Sequence, residues 1–183
     1  MQIIEKKKFS SSDFNHKNFE NTTFEKCDLN QINMNYANFL DCSFNNCNLS
    51  LVKIDGCRFH NVHFSNCKLV GLNFSNCDPK FLHLKFTNCV IDTSNFSDLN
   101  LKDTPFLNSV IRDTHFTGTN LTQANFEGSD LKGSEFHNVN FTRANFQTAI
   151  NYSINPLTNK LTKAKFSAPE VLSLLDGLDI YIN

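Results

Sequence analysis

The sequence predicts an all-β solenoid, a chain coiled into a four-sided rod around one column of apolar side chains. Apolar residues recur at every fifth position over most of the 183 residues, and eighteen of the nineteen Phe residues fall on that lattice. The residue before each apolar position is mostly Asn or Asp. A period of five fits neither a helix of 3.6 residues per turn nor a strand of period two. It fits a chain that turns a corner every five residues.

The lattice runs in two stretches of fourteen apolar positions each. The first extends from Phe9 to Phe74 and the second from Phe81 to Phe146, with a slip of two residues at Asp78-Pro79-Lys80. We expect each lattice residue to point inward together with the small residue two positions earlier, as alternate residues of an extended segment do. Four units close one coil of twenty residues, so the twenty-eight units predict a stack of about seven coils.

The predicted core is a column of rings. Each buried Phe or Leu stabilises the fold by ~1.5–3 kcal/mol, so this column should dominate stability. The central rings that we expect in the core are Phe39, Phe59, Phe96, Phe116 and Phe126.

The corners are predicted from Asn and Asp, whose side chains bond to nearby backbone. Ala124-Asn125-Phe126-Glu127-Gly128 and Ala144-Asn145-Phe146-Gln147-Thr148 are clean copies of the unit. This pattern resembles the pentapeptide repeat family, whose members form right-handed quadrilateral parallel β-helices. The resemblance covers residues 9–148. The stretch from Phe126 to Phe136, with Arg143-Ala144-Asn145-Phe146, resembles the last coils of quinolone-resistance (Qnr-type) members.

The Qnr-type resemblance implies a function. In that group the rod is a dimer that binds DNA gyrase and topoisomerase IV and imitates duplex DNA by its shape and acidic surface. It implies protein partners and no direct contact with nucleic acid. The sequence has no long projecting loops such as the Qnr type carries. The resemblance therefore implies gyrase binding by the rod more strongly than it implies drug protection, which the loops provide in the Qnr type. The alternative is a structural scaffold or interaction module with an unrelated partner, because the fold says little about the surface.

The ends of a solenoid must be covered. Gln2 to Glu5 predicts a first strand, and Lys163-Ala164-Lys165-Phe166 predicts one further inward unit after the repeat decays at Asn155-Pro156. Ser167-Ala168-Pro169-Glu170 predicts a capping box that begins a short helix, which Gly177 ends.

The C-terminal segment is predicted to serve as a cap and a dimer contact. Its apolar residues follow helical spacing and then a strand-like alternation. A short apolar helix has two faces to bury, and the second can meet another copy of the chain. We therefore divide the chain into a β-helix at residues 1–148 and a cap and dimerisation segment at 149–183. The predicted dimer residues are Leu172, Leu175, Leu178, Ile180 and Ile182.

No catalytic or metal site is predicted. The seven Cys residues occupy the small inward position, where packing explains them as free thiols, and Cys27, Cys47, Cys67 and Cys89 should stack on one wall. The six His residues have no Asp or Cys partner at metal spacing. No nucleophile elbow, phosphate loop or dinucleotide glycine pattern is present. We expect a protein that is not an enzyme and needs no cofactor.

Charge placement suggests a partner-binding surface. The net charge is −1, which disfavours a nucleic-acid binder. Two neighbouring walls, those that begin at Phe9 and Phe14, carry eight acidic and four basic residues, whereas the other two carry five acidic and seven basic residues. An acidic side would suit the basic DNA groove of a topoisomerase. The predicted contact residues are Asp78, Lys80, Asp92, Asp98, Asp113, Asp130 and Glu135.

The location is predicted from what the sequence lacks. It contains no apolar run long enough to span a membrane and no secretory signal at its N-terminus. We expect a cytoplasmic protein without a membrane partner.

Overall fold

The computed structural model describes residues 2–5, 8–176, 178 and 180, and it is a parallel β-solenoid of about eight turns. The chain forms short strands in this part. They are β1 Gln2–Glu5, β2 Asn18–Glu20, β3 Thr22–Glu25, β4 Asn38–Leu40, β5 Ser43–Asn45, β6 Arg58–Ser65, β7 Lys68–Val70, β8 Leu82–Thr87, β9 Val90–Asp92, β10 Phe106–Leu107, β11 Val110–Arg112, β12 Asn145–Phe146 and β13 Lys165–Phe166.

Every strand pair is parallel, and the register is twenty residues per turn outside the slip. Gln2 lies beside Thr22, Phe19 beside Phe39, and Phe146 beside Phe166. The predicted first strand and the further unit at Phe166 are both present. They extend the predicted seven coils to about eight turns. An eight-stranded sheet follows the order β1-β3-β5-β6-β4-β2, with β8 and β10 joined through β6.

The core is a set of ring columns that run along the rod axis. The predicted core rings Phe39, Phe59, Phe96, Phe116 and Phe126 are all buried. Rings of successive turns stack nearly parallel, as Phe39 and Phe59 do at 5.2 Å, whereas rings on neighbouring walls meet edge to face. Both arrangements are favoured by the aromatic quadrupole, at ~0.5–1.5 kcal/mol per pair beyond simple burial.

The corners are built by two residues of each unit. The Asn or Asp before the lattice residue accepts a hydrogen bond from the backbone N–H two residues later, as Asn33 Oδ1 does from Asn35 at 2.8 Å. The second residue after the lattice position has a positive φ, for example +55° at Asn46 and +71° at Gly128. Asn, Asp and Gly tolerate this left-handed conformation best, which explains why they are abundant there.

The slip at residues 77–80 is a bulge followed by a missing corner. Phe59 lies beside Leu82, 23 residues later, but Val62 lies beside Leu84, only 22 residues later. Pro79–Phe81 forms a 3₁₀ turn that adds three residues to the normal twenty. β8 then crosses to the next wall without a residue of positive φ, so it takes one residue fewer than the coil before it.

One lattice position is corrected by this register. The sequence predicts that Phe81 points inward, but Leu82 occupies the core position and is 5% exposed. Phe81 is 39% exposed, and the guanidinium of Arg58 lies 4.8 Å from the centre of its ring. The 3₁₀ turn causes the exchange, because Asp78 Oδ1 accepts from the backbone N–H of Lys80 and turns Phe81 outward.

The C-terminal segment also differs from the prediction. Its helix is a 3₁₀ helix at Glu170–Leu175 with Pro169 at its N-cap, so the predicted capping box is absent. Leu174 packs against the end of the core. The predicted helix stop at Gly177 lies outside the described residues. So does Ile182 of the predicted strand.

Candidate protein-binding surface

The acidic side of the rod centres on three aspartates. Asp92 ends strand β9, while Asp98 and Asp113 stand at corners with φ of +61° and +47°. Asp98 and Asp113 are exposed, and neither forms an ion pair with any described residue. Their side chains lean along the rod axis over Gly118 and Gly133 of the next turn, where a Cβ atom would collide with them. The glycines therefore leave room for a carboxylate on the outer edge.

Asp130 is less available than the sequence suggests. Arg112 Nε donates to Asp130 Oδ2 at 3.1 Å, and Asn151 Nδ2 donates to Asp130 Oδ1 at 2.8 Å. Partial burial acts to raise the pKa of Asp130, but the hydrogen bonds from Arg112 and Asn151 outweigh it and the pKa is lowered. The carboxylate is ionised and held against Arg112, so it contributes little free negative charge.

Glu135 is also paired, although it remains exposed. His115 Nδ1 lies 2.9 Å from Glu135 Oε2 on the turn above. This contact is a full ion pair only when the imidazole is protonated. The structure thus brings Asp92, Asp113 and Asp130 around Arg112, and places Glu135 and Asp98 on the neighbouring wall.

Asp78 and Lys80 lie in the bulge, away from the aspartates. Asp78 Oδ2 accepts from Arg58 Nε at 3.0 Å, while its Oδ1 holds the 3₁₀ turn. Lys80 is exposed and forms no ion pair with a described residue. Asp78 therefore stabilises the bulge. Of these two residues, Lys80 has the side chain that is free to contact a partner.

The bulge creates a small groove that the sequence reasoning missed. Leu40, Arg58, His60 and Phe81 line it, and its volume is about 250 Å³. The rings of His60 and His83 lie edge to face at 5.0 Å beside it. The signal was present in the sequence as the pair Phe81-Leu82, of which only one residue can enter the core.

The C-terminal end presents an apolar surface. Leu172 is 47% exposed, Leu178 is 36% exposed and Ile180 is 55% exposed. Leu175 is half-buried. The hydroxyls of Tyr152 and Ser173 in the same end of the rod are buried and have no hydrogen-bond partner among the described residues. Burial raises the pKa of Tyr152 to about 12, and the nearby charge of Glu170 acts in the same direction.

The cysteines are core residues. All seven are buried free thiols. The predicted ladder is present, because the backbone N–H of Cys27 donates to Cys47 Sγ at 3.4 Å. The thiols of Cys47, Cys67 and Cys89 donate to backbone carbonyl oxygens of the turn before, those of Phe24, Phe44 and Phe64, at 3.3, 3.2 and 3.4 Å. Burial raises the pKa of Cys57 to about 12. The Cys57 thiol is therefore unreactive near neutral pH, because the thiolate is the nucleophile.

Among the described residues no cluster of three or more His, Cys, Asp or Glu side chains is arranged to hold a metal ion. None of the helices in that part of the chain combines the length and the hydrophobicity that a membrane span requires.

The five-residue repeat assigns the chain to a family. The twenty-residue register and the corners agree with that assignment. The family model for the pentapeptide repeat region matches residues 37–116, and the model for pentapeptide repeats in eight copies matches residues 12–50 and 109–147. The chain belongs to the pentapeptide repeat family. No curated protein sequence matches this pentapeptide repeat protein significantly.

Solved structures of QnrB1 share the fold of this chain. A trypsin-treated variant of QnrB1, a plasmid-mediated fluoroquinolone resistance protein, matches with a TM-score of 0.65 and 17% identity, covering 100% of this chain and 97% of that one. Full-length QnrB1 matches with a TM-score of 0.50 and 16% identity over 98% of each chain. HetL, involved in heterocyst differentiation regulation in the cyanobacterium Nostoc sp. strain PCC 7120, matches at 0.42 and 15%, covering 87% and 86%.

Proposed function

We propose that this pentapeptide repeat protein is a non-catalytic, DNA-imitating protein that binds DNA gyrase or topoisomerase IV and protects the enzyme against quinolones or other gyrase poisons. The observation that carries the proposal is the placement of Asp92, Asp98 and Asp113 on one side of an unbranched rod. Carboxylates on one side of a rigid rod are what a basic DNA groove attracts. The likeness to QnrB1 along the whole chain supports the choice of partner.

The assay that tests this proposal measures DNA supercoiling and quinolone-stabilised DNA cleavage by purified gyrase, with and without a quinolone. We expect the protein to reduce quinolone-stabilised cleavage at micromolar concentration. The double variant Asp98→Asn with Asp113→Asn should lose most of this effect, because it removes two exposed charges while Asn keeps the left-handed corners.

The matched control is Asp41→Asn. Asp41 is an exposed corner residue with φ of +52°, and it lies on a different wall. This variant should protect as the wild type does. Equal protection by the double variant, or no effect of the wild type on the enzyme, would reject the proposal and favour a scaffold with an unrelated partner.

We also propose that residues 149–183 form a cap and dimerisation segment beside the repeat domain at residues 1–148. Exposed Leu172, Leu178 and Ile180 support this, since a two-fold dimer would bury one apolar patch twice. Light scattering after size exclusion should show a dimer for the wild type and a monomer for Leu172→Glu. The control Leu51→Glu, at a side chain that is 53% exposed within the repeat domain, should remain dimeric. A monomeric wild type would overturn this proposal.

A further inference from the structure

One corner of the rod is interrupted by a gap of one residue. The corner residues between two walls are stacked along the axis at twenty-residue steps and all have positive φ: Asn21, Asp41, Asn61, Asp103, Gln123, Arg143 and Lys163. The step from Asn61 to Asp103 spans two turns, because β8 crosses the corner without such a residue. The gap is a cavity of about 550 Å³, which we call the notch, and Asn61, Lys80, His83, Lys85, Lys102 and Asp103 line it.

The backbone ladder between turns is open at the notch. Between the turn of Leu101 and the turn that follows it, the ladder is regular. Leu101 N–H donates to the carbonyl of Asn120, and Asp103 N–H donates to that of Thr122, both at 2.9 Å. No backbone hydrogen bond joins residues 82–84 to residues 100–104, all of which are described. The carbonyl oxygens of Asn100 and Lys102 accept no hydrogen bond from any described group. These two acceptors are two residues apart, which is the spacing along one edge of a strand.

The notch is positively charged. Lys80, Lys85 and Lys102 are exposed around it, and the one carboxylate is that of Asp103. Lys102 Nζ lies 3.8 Å from Asp103 Oδ2, an exposed pair that holds neither group firmly. Three lysines against one aspartate leave an excess of two positive charges. The notch lies at the corner diagonally opposite that of Asp113.

We propose that the notch binds an extended acidic segment of a partner protein, as a site separate from the acidic side and independent of the proposed function. Such a segment donates its backbone N–H groups to the carbonyl oxygens of Asn100 and Lys102. Its alternate carboxylates face Lys80, Lys85 and Lys102. The backbone hydrogen bonds are an example of strand addition to an open sheet edge. The carboxylate–lysine contacts are an example of charge complementarity.

The chemistry of the notch favours a peptide over a simple anion. Inorganic phosphate at neutral pH is mainly an acceptor, so it satisfies the lysines but leaves the two carbonyl oxygens without donors. A peptide carries donors along its backbone and acceptors on its side chains at fixed spacing. The cavity is within the range of about 300–1,000 Å³ that ligand pockets occupy, so it takes a short segment.

The test is fluorescence anisotropy with the whole chain and a short labelled peptide in which glutamate alternates with valine. We expect the wild type to bind the peptide, and Lys85→Glu with Lys102→Glu to weaken binding at least about tenfold. The control Lys53→Glu adds a negative charge at an exposed position on another wall and should bind as the wild type does. Thermal melting of each variant confirms that the fold is intact.

A second arm uses only the wild type and so does not depend on any variant folding. The same peptide with N-methyl groups at alternate residues keeps its charge but loses the donated N–H groups. We expect it to bind at least about tenfold more weakly. Equal binding of the two peptides, equal loss in Lys53→Glu, absence of binding, or tighter binding of a single-stranded oligonucleotide of the same charge would each overturn the proposal. Competition by inorganic phosphate at equal concentration would also overturn it.

Discussion

The rings of Phe106 and Phe126 are parallel to within 1° with their centres 5.0 Å apart, although twenty residues of chain separate them. Phe106 also meets Phe116 of the adjacent wall edge to face at 5.9 Å. Phe106 also stacks on Phe86 at 5.0 Å, so this ring contacts the turn before, the turn after and a neighbouring wall. The stability of the rod is distributed along this column, in the manner of repeat proteins in which each turn contacts only its neighbours.

Removal of one interior ring tests that column. Phe106→Ala should lower the free energy of unfolding by about 3–5 kcal/mol, because the ring is fully buried and the stacked neighbours cannot close the cavity. Urea denaturation at constant pH measures the change. Leu157→Ala, at a side chain that is 76% exposed, is the control and should leave the midpoint unchanged. A Phe106→Ala midpoint equal to that of the wild type would contradict the stacked core.

The corrected register at the bulge makes a paired prediction. Leu82→Ala should cost about 2–5 kcal/mol, since Leu82 holds the core position beside Phe59. Phe81→Ala should cost about 1 kcal/mol or less, because it removes only an exposed ring and its contact with Arg58. The same denaturation experiment ranks the two variants. If Phe81→Ala lowered the free energy of unfolding more than Leu82→Ala does, Phe81 would be the residue that occupies the core position.

Thiol reactivity tests the placement of the cysteines. Burial raises the pKa of Cys57 to about 12 and that of Cys77 well above its usual value, so neither is a thiolate near neutral pH. We expect a thiol reagent to label none of the seven cysteines rapidly at pH 8 in the native protein. All seven should react in denaturant. Rapid native labelling of even one would show that the wall opens there.

Tyr152 makes the stability depend on alkaline pH. Its pKa is raised from 10.0 to about 12 in the folded protein, first by burial and then by Glu170. Below pH 10 the phenol is neutral in both states. Between pH 10 and 12 the unfolded chain ionises while the folded one does not, so stability falls with rising pH.

The variant Tyr152→Phe isolates this contribution. It should lose less stability than the wild type between pH 10 and 12. At pH 7 it should be neutral or slightly stabilising, because it removes a buried hydroxyl that has no partner in the described residues. Tyr36→Phe, at an exposed ring, is the control and should follow the wild type. A large loss of stability at pH 7 in Tyr152→Phe would mean that the hydroxyl is bonded.

Much of the fold follows from the five-residue spacing alone. Phe39 stacks on Phe59, and Phe126 on Phe146, because four units of five residues close each turn and place one inward ring next to another. The exception is the bulge, where Phe81 and Leu82 are both apolar and adjacent. There the hydrogen bond from Lys80 N–H to Asp78 decides which one is buried, and hydrophobic spacing carries no such information.

The candidate surface was less predictable for two physical reasons. Pairing between turns depends on side chains twenty residues apart, so the neutralisation of Asp130 by Arg112 is not visible in the local sequence. The notch arises from an absent residue, because β8 omits a corner that Asn61 and Asp103 supply in the turns on either side. The sequence shows only that the turn across the slip is two residues longer than the normal twenty. It does not show that three residues are inserted at the bulge and one is missing from the next corner.

The claim of DNA imitation is tested most directly by competition for gyrase. Gyrase is loaded with labelled linear duplex DNA, the protein is added in increasing amounts, and the bound DNA is measured by anisotropy. We expect the wild type to displace the DNA and Asp98→Asn with Asp113→Asn to displace it far less. A ternary complex of gyrase, DNA and this protein, or no displacement at any concentration, would contradict it.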